Sequence, residues 1–433
     1  MKSTKIIFKL VLSTQFLLFG LALTAQNTKF KSSIHKTVQL RTDEIFDSLV
    51  KIRRDFHANP EVSGQEKRTS KKIAKYLLSL GLEVKTNIGG NGVVGILKGD
   101  NPGKKIAWRA DIDAMPSKIP DVVNFPSKNK GVRHICGHDV NTTIALGIAN
   151  VLASQKETLQ GTIYFIFQPS EENIKGAKAM IDDGLFDIIS PEEIYALHVT
   201  PMPVGLIASK PEWLFSDYKF TKVTFKNSNE NESIIEFTKK IISDLHNVKP
   251  DSKFWDTRNL LDPNIGLENP NTIFKDYQTV NQNFNIEKSE NKLTISTLVS
   301  SSNIKRMKAI IPFLNKKIGA SKYAKNLLNI ENLYKCAPIK NDKKLTTKTM
   351  NSISAIYGNE NVIPLYGPIP DGRSDDFAYF QEQVPGVYFL LGGSNFEKGI
   401  ISMPHSPNFA VDEQCIKTGV NFFSSMIIER LIN

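Results

Sequence analysis

Cysteine is scarce in this chain: Cys136, Cys336 and Cys415 are the only three in 433 residues. So few thiols, and an odd number of them, exclude a disulfide framework as the support of the fold. Cys336 and Cys415 read as small core residues, or less readily as a pair, because free cysteine is among the most buried residue types. Long apolar runs are also lacking. Beyond the first 25 residues no stretch approaches the ~18 uninterrupted apolar residues of a membrane-spanning helix. Arg-rich runs with interleaved aromatics are missing as well. The net charge is +11, and without Lys2, Lys5 and Lys9 it is +8, from 52 basic against 44 acidic side chains. That excess is dispersed along the chain, which reads as a solvated surface and excludes a nucleic-acid groove. No internal repeat and no low-complexity tract occurs. What is present is the composition of a globular protein, 40% hydrophobic and 23% charged, which excludes a disordered chain. The length suits two or three domains.

Residues 1–25 hold the three lysines, then an apolar stretch from Leu10 to Leu23, then the small residue Ala25 ahead of Gln26. This is the pattern of a cleavable signal peptide, with an apolar core too short for the ~20 residues of a membrane anchor. The expectation is export to the periplasm or beyond, with no membrane insertion once the signal is removed.

Apolar positions recur at helical spacing from Asp43 to Leu80, where Gly81 supplies a stop. Strands are expected over 93–97, 105–108, 162–167 and 194–199, and helices over 141–153 and 174–184. Strands alternating with helices predict an α/β architecture, a mixed, largely parallel sheet flanked by helices. After Trp213 the pattern changes. Strands at 217–226, 279–286 and 292–299 with helices at 234–245 and 303–318 make a smaller α+β unit of ferredoxin-like order. The first pattern resumes near Tyr334, with a helix near 344–356, a strand at 387–391 and a closing helix over 413–431. The expected division is a signal peptide 1–25, an α/β domain in two parts, 26–214 and 334–433, and an inserted domain 215–333.

Seven histidines stand at 35, 57, 134, 138, 198, 246 and 405. Several fall at predicted strand ends or in the loops beyond them, where an open α/β sheet collects its ligands. In Arg133-His134-Ile135-Cys136-Gly137-His138-Asp139, thiol and imidazole lie two residues apart, which in extended backbone sends both to one side. Gln168-Pro169-Ser170-Glu171-Glu172 follows a predicted strand with adjacent carboxylates pointing different ways. One can bind metal while the other handles protons. Taken singly, each piece has a plainer reading. A buried thiol beside a surface imidazole, a solvated pair of glutamates, a core histidine at 198 and a turn histidine at 405 would account for them one by one. A single bimetal site accounts for all four together.

The same residues carry a family resemblance. Arg53-Arg54-Asp55-Phe56-His57-Ala58-Asn59-Pro60-Glu61, Trp108-Arg109-Ala110-Asp111-Ile112-Asp113-Ala114-Met115-Pro116, the block 134–139, the run 167–172 and Gly176-Ala177-Lys178-Ala179-Met180 stand in one order. Ser374-Asp375-Asp376-Phe377, Val384-Pro385-Gly386 and His405-Ser406-Pro407-Asn408-Phe409 follow them. In this the chain resembles the M20 metallopeptidase and amidohydrolase family, in the branch of N-acyl amino acid amidohydrolases, hippurate hydrolases and indoleacetyl-amino-acid hydrolases. The resemblance implies that Cys136, His138, Glu172, His198 and His405 hold two divalent ions, with Cys136 as the bridge and Glu171 as general base. Thiolate and imidazole suit zinc, and the carboxylate suits manganese as well. Asp111 and Asp113 read either as plain turn or strand-end carboxylates or as supports for the ligands, and His57 and His134 read as scaffold. The inserted domain would be a lid, and a homodimer through it is suggested by the resemblance alone.

One departure stands out. Similar enzymes carry a Gly-Gly-His-Ala type motif after the first strand of the lid, and its histidine stabilises the oxyanion. Here that stretch is Lys226-Asn227-Ser228-Asn229-Glu230-Asn231-Glu232-Ser233, and His246 does not match the motif. Losing such a donor can cost ~10²–10³ in rate. A smaller departure is Asp375, where relatives have glutamate. Three functions therefore stay in view: an amidohydrolase of N-acyl amino acids, an exopeptidase or dipeptidase, and a metal-retaining protein that binds such ligands with little turnover.

Overall fold

The computed structural model describes residues 33–333, 336–370 and 375–432. The signal-peptide reading of residues 1–25 lies outside them. Helix α1 (33–58) buries Val38, Thr42, Ile45, Leu49, Arg53 and Phe56, a stripe at three- and four-residue spacing. The helical period that reads continuously from 43 to 80 is in fact two helices. Pro60 disfavours helix in the residue before it, and Gly64 turns the chain at φ +82° before α2 (Lys67–Ser79) begins.

The main sheet is built from β1 (Glu83–Ile88), β2 (Gly92–Lys98), β3 (Asn101–Asp111), β4 (Gln160–Gln168), β5 (Glu193–Pro203) and β6 (Ile207–Ser209). Two later strands complete it, β12 (Val362–Pro364) and β13 (Gly386–Ser394). Their order is β1-β2-β4-β3-β5-β13-β6-β12. The central run β4-β3-β5-β13 is parallel, and β1, β2 and the β13–β6 contact supply the antiparallel pairings. Alternate residues of each central strand enter two cores. Trp108, Phe165, Tyr195 and Phe389 face α1, α3 (His138–Ala153) and the closing helix α9 (Gln414–Ile432). Ala107, Tyr164, Ala196 and Tyr388 face α4 (Gly176–Asp182) and α8 (Phe377–Gln383). Covering both faces explains why these strands read as continuous apolar runs.

A second sheet runs through β7 (Asp217–Lys226), β8 (Gln278–Val280), β9 (Asn285–Lys288), β10 (Lys292–Ser301) and β11 (Leu327–Leu333). It is antiparallel throughout, and one face packs on α5 (Asn231–Ser243) and α6 (Ile304–Gly319). The strand expected over 279–286 is two strands, β8 and β9, laid end to end on β10. Helix α7 (Lys343–Tyr357) returns the chain to the first layer. All three cysteines are buried and none is in a disulfide, so Cys336 and Cys415 form no pair. Among the described residues no helix is long and apolar enough to cross a membrane.

Candidate metal centre

The carboxyl ends of the parallel strands lie in register, Asp111 beside Gln168 and Leu390 beside His198, so the loops leaving them open onto one place. Cys136 reaches it from the loop before α3. Gly137 makes the approach work: its φ is +102°, and a Cβ there would lie 2.2 Å from Val199 Cγ1. Cys136 and His138 are thus brought together by a left-handed glycine and a helix start, where extended backbone was expected.

Cys136 is the hub. Its sulfur lies 3.4 Å from His198 Nε2 and 3.1 Å from His405 Nε2. Cys136, His138 and His198 each offer a donor atom within 4.8 Å of the others, as do Cys136, Glu172 and His405, and likewise His138, Glu171 and Glu172. All five expected ligands and the expected base therefore meet. Backbone carbonyls orient the rings. His138 Nδ1 donates to Asp113 O at 2.8 Å and His198 Nδ1 to Val199 O at 2.8 Å, which turns both Nε2 atoms inward. His405 sits at φ 62°, held by its own N–H on Ile135 O at 2.7 Å.

His138 Nε2 and Glu172 Oε1 are buried and have no hydrogen-bond partner. Buried polar atoms without partners are costly. Their convergence with a thiol and two further imidazoles is the donor chemistry of a transition-metal site, and a cation would satisfy them. Burial, then the charge of Glu172, pushes the Cys136 thiol well above its ordinary value. For His138, burial favours the neutral ring, but Asp111, Cys136 and Asp113 outweigh it and raise the pKa well above normal. Burial holds His198 low. Burial would also raise Glu172, yet its hydrogen bond to His405 and the charge of His138 bring it below normal.

Beside this cluster lies a second one that sequence reasoning did not assemble. Glu171, Asp375 and Asp376 place carboxylate oxygens within 4.8 Å of one another, all buried. Arg109 answers them from β3, 3.1 Å from Asp375, 3.2 Å from Asp376 and 2.6 Å from Asp111. Tyr388 donates to Asp375 at 2.7 Å, and Gln168 to Asp376 at 2.6 Å. Burial, followed by Asp375 and Asp376, drives Glu171 well above the usual carboxylate range. Burial and Asp375 bring Asp376 up to about 7 against the pull of Arg109.

Asp111 and Asp113 both reach the ligands. Asp111 Oδ1 lies 3.8 Å from His138 Nε2, and Asn141 ties that oxygen, 2.9 Å away, to the Val199 N–H next to His198. Asp113 Oδ2 accepts the Glu172 N–H at 3.0 Å. His57 lies outside the cluster, clamped between Asp139 at 2.9 Å and Asp121 at 3.1 Å, and His134 is buried and held near 4 by burial. His246 is committed within the insert, with Nε2 donating to Val248 O, Nδ1 accepting from Val280 N, and its ring stacked on Trp255.

A family profile, described as peptidase family M20/M25/M40, matches residues 107–429. The chain belongs to this family. Thermostable carboxypeptidase 2 of Saccharolobus solfataricus is 32% identical over 395 residues, covering 87% of this chain and 93% of the relative. IAA-amino acid hydrolase ILR1-like 5 of Arabidopsis thaliana is 27% identical, covering 90% of this chain and 89% of its own length. Among solved structures, the YXEP protein of Bacillus subtilis, described as a dinuclear metal binding peptidase from the M20 family, superposes with a TM-score of 0.71. It is 24% identical and covers 90% of this chain and 99% of its own. As an M20 protein the chain is a metal-dependent hydrolase of amide-type substrates, small molecules or peptides.

Proposed function

We propose that this M20 protein is an exported amidohydrolase that cleaves N-acyl amino acids, with two divalent ions, manganese or zinc, held by Cys136, His138, Glu172, His198 and His405. One observation carries the reading: donors from four separate segments surround a single sulfur, with a high-pKa carboxylate beside them. When bound, divalent ions supply Lewis acidity at this place, acidifying water and polarising a carbonyl oxygen. Glu171 takes a proton from water at its carboxylate and later delivers it to the departing amide nitrogen. A carboxyl whose affinity for a proton is raised by burial suits both halves of that task. Arg109 and Tyr388 hold Asp375 and so confine the charge that faces Glu171. The 26–214 and 334–433 parts form the catalytic layer in this reading, and 215–333 is an inserted lid through which a homodimer could assemble.

The carboxypeptidase name of a 32% identical relative favours a second reading, cleavage of short peptides at the same centre. Purified protein assayed on acylated amino acids and on unblocked dipeptides separates the two. Faster release from the acylated series is expected, and Glu171→Gln is expected to lower it by ~10²–10⁴ while metal content stays the same. Equal rates in wild type and Glu171→Gln contradict the mechanism, and turnover confined to dipeptides selects the second reading.

A further inference from the structure

The turn that carries Glu171 has an unusual backbone and is held from outside. Ser170 sits at φ 57° and Ile174 at φ 60°, left-handed values that residues other than glycine rarely adopt. Within the turn, Lys175 N and Gly176 N donate to Ser170 O at 3.2 and 3.1 Å. Further support comes from the loop ahead of α2, over a hundred residues earlier in the chain. Glu66 is fully buried, at 0% exposure. Its Oε1 accepts the Ser170 N–H at 2.9 Å and the Gly64 N–H at 2.8 Å, and its Oε2 accepts from Asn91 Nδ2 at 2.9 Å. From the same loop Ser63 donates to Asp113 Oδ2 at 2.7 Å, the oxygen that also accepts the Glu172 N–H.

The backbone amides on both sides of Glu171 are therefore anchored to one short loop, Ser170 directly through Glu66 and Glu172 through Asp113 and Ser63. Keeping a carboxylate buried is expensive unless several donors converge on it, and four do so here, the fourth being the Ser170 hydroxyl at 3.5 Å. Glu66 touches no reacting atom. Its bonds end on the amide of the residue before the base.

We infer that Glu66 is a positioning residue for the general base, fixing the left-handed turn at Ser170 that aims Glu171 across the Cys136 cluster. The inference rests on the reading of Glu171 as base. Its test compares Glu66→Ala, Glu66→Asp and Glu66→Gln with wild type in the metal-loaded full chain, reading turnover of an acylated amino acid, metal content, and backbone amide exchange in residues 168–176. Misplacing a proton carrier by about 1 Å can cost up to on the order of 10²-fold. Glu66→Ala is expected to lower kcat by about that factor with KM and metal content unchanged, and to speed exchange in 168–176 alone. Glu66→Gln is expected to recover both readouts, because its amide oxygen can accept the same two N–H groups. Wild-type kcat and exchange in Glu66→Ala, or a Gln variant as impaired as Ala, overturns the inference. If Glu66→Ala does not fold, Glu66→Asp decides: it keeps the charge and loses the reach, so a kcat loss supports the inference and wild-type kcat overturns it. If wild type hydrolyses no amide at all, the functional reading fails, and the exchange comparison still determines whether Glu66 holds the turn.

Discussion

The end of the main sheet and the first loop of the insert treat their polar groups in opposite ways. Around Cys136, buried donor atoms such as His138 Nε2 and Glu172 Oε1 are left without hydrogen-bond partners. In the loop after β7, side chains find protein partners: Asn227 donates to the backbone Ser289 O at 2.8 Å, Asn231 to Asn227, and Asn326, from the segment before β11, to Ser228. One region spends folding free energy to keep groups open for a ligand, whereas the other satisfies itself. The difference supports the proposal that the chemistry lies in the sheet-end cluster and that the loop 226–233 has a structural part.

The sharpest way to break this contrast is to exchange substitutions between the two regions. Glu171→Gln is expected to lower turnover by ~10²–10⁴, the usual worth of a general base. Asn229→Ala, within the stretch 226–233 that stands in place of the relatives' histidine motif, should leave kcat within about twofold, since side-chain changes away from reacting groups are near neutral. A large loss in Asn229→Ala, read from steady-state kinetics, would move the oxyanion donor into the insert.

A smaller effect is expected at Gly137. A methyl group there meets Val199 at 2.2 Å on a backbone of φ +102°. Gly137→Ala should destabilise the protein by about 1–3 kcal/mol through strain and overpacking. The thermal midpoint should fall and metal affinity should fall with it. Gly399, at φ +67° with nothing near its Cβ, provides the control in which only the backbone cost appears.

The pH dependence is the gentlest test. Burial raises the Cys136 thiol, so in metal-free protein it stays protonated across neutral pH. Metal binding must expel that proton, and apparent affinity should rise with pH, on the order of tenfold per unit for each proton displaced. Proton release on adding Mn²⁺ or Zn²⁺ in weak buffer measures it directly. In Cys136→Ser this component should vanish.

How much of this could be read before folding depended on locality. The central strands were legible because burial on both faces makes their residues apolar without interruption. Edge strands were not: β1, Glu-Val-Lys-Thr-Asn-Ile, buries only Ile88, and β11 buries no residue fully. The break at 59–66 was hidden because α1 and α2 continue one apolar period across it. At the site, residue type and order were enough to expect that Cys136, His138, Glu171, Glu172, His198 and His405 come together. Asp375 and Asp376 appeared only as a motif, and Glu66 and Asn141 carried no signal. Their roles come from contacts with residues 30 or more positions away, which no local pattern encodes. Cys136 and His138 were paired correctly, though by a left-handed glycine in place of extended chain.

Elemental analysis of metal-loaded wild type beside Cys136→Ser tests the central claim most directly. Because two of the donor groups, Cys136 with His138 and His198 and Cys136 with Glu172 and His405, share that sulfur, wild type is expected to bind about two ions per chain, and the serine variant, folded by circular dichroism, should lose the pair under mild chelation. Wild type free of metal after loading, or a serine variant that keeps both ions with undiminished affinity, would contradict a paired-ion centre built on Cys136.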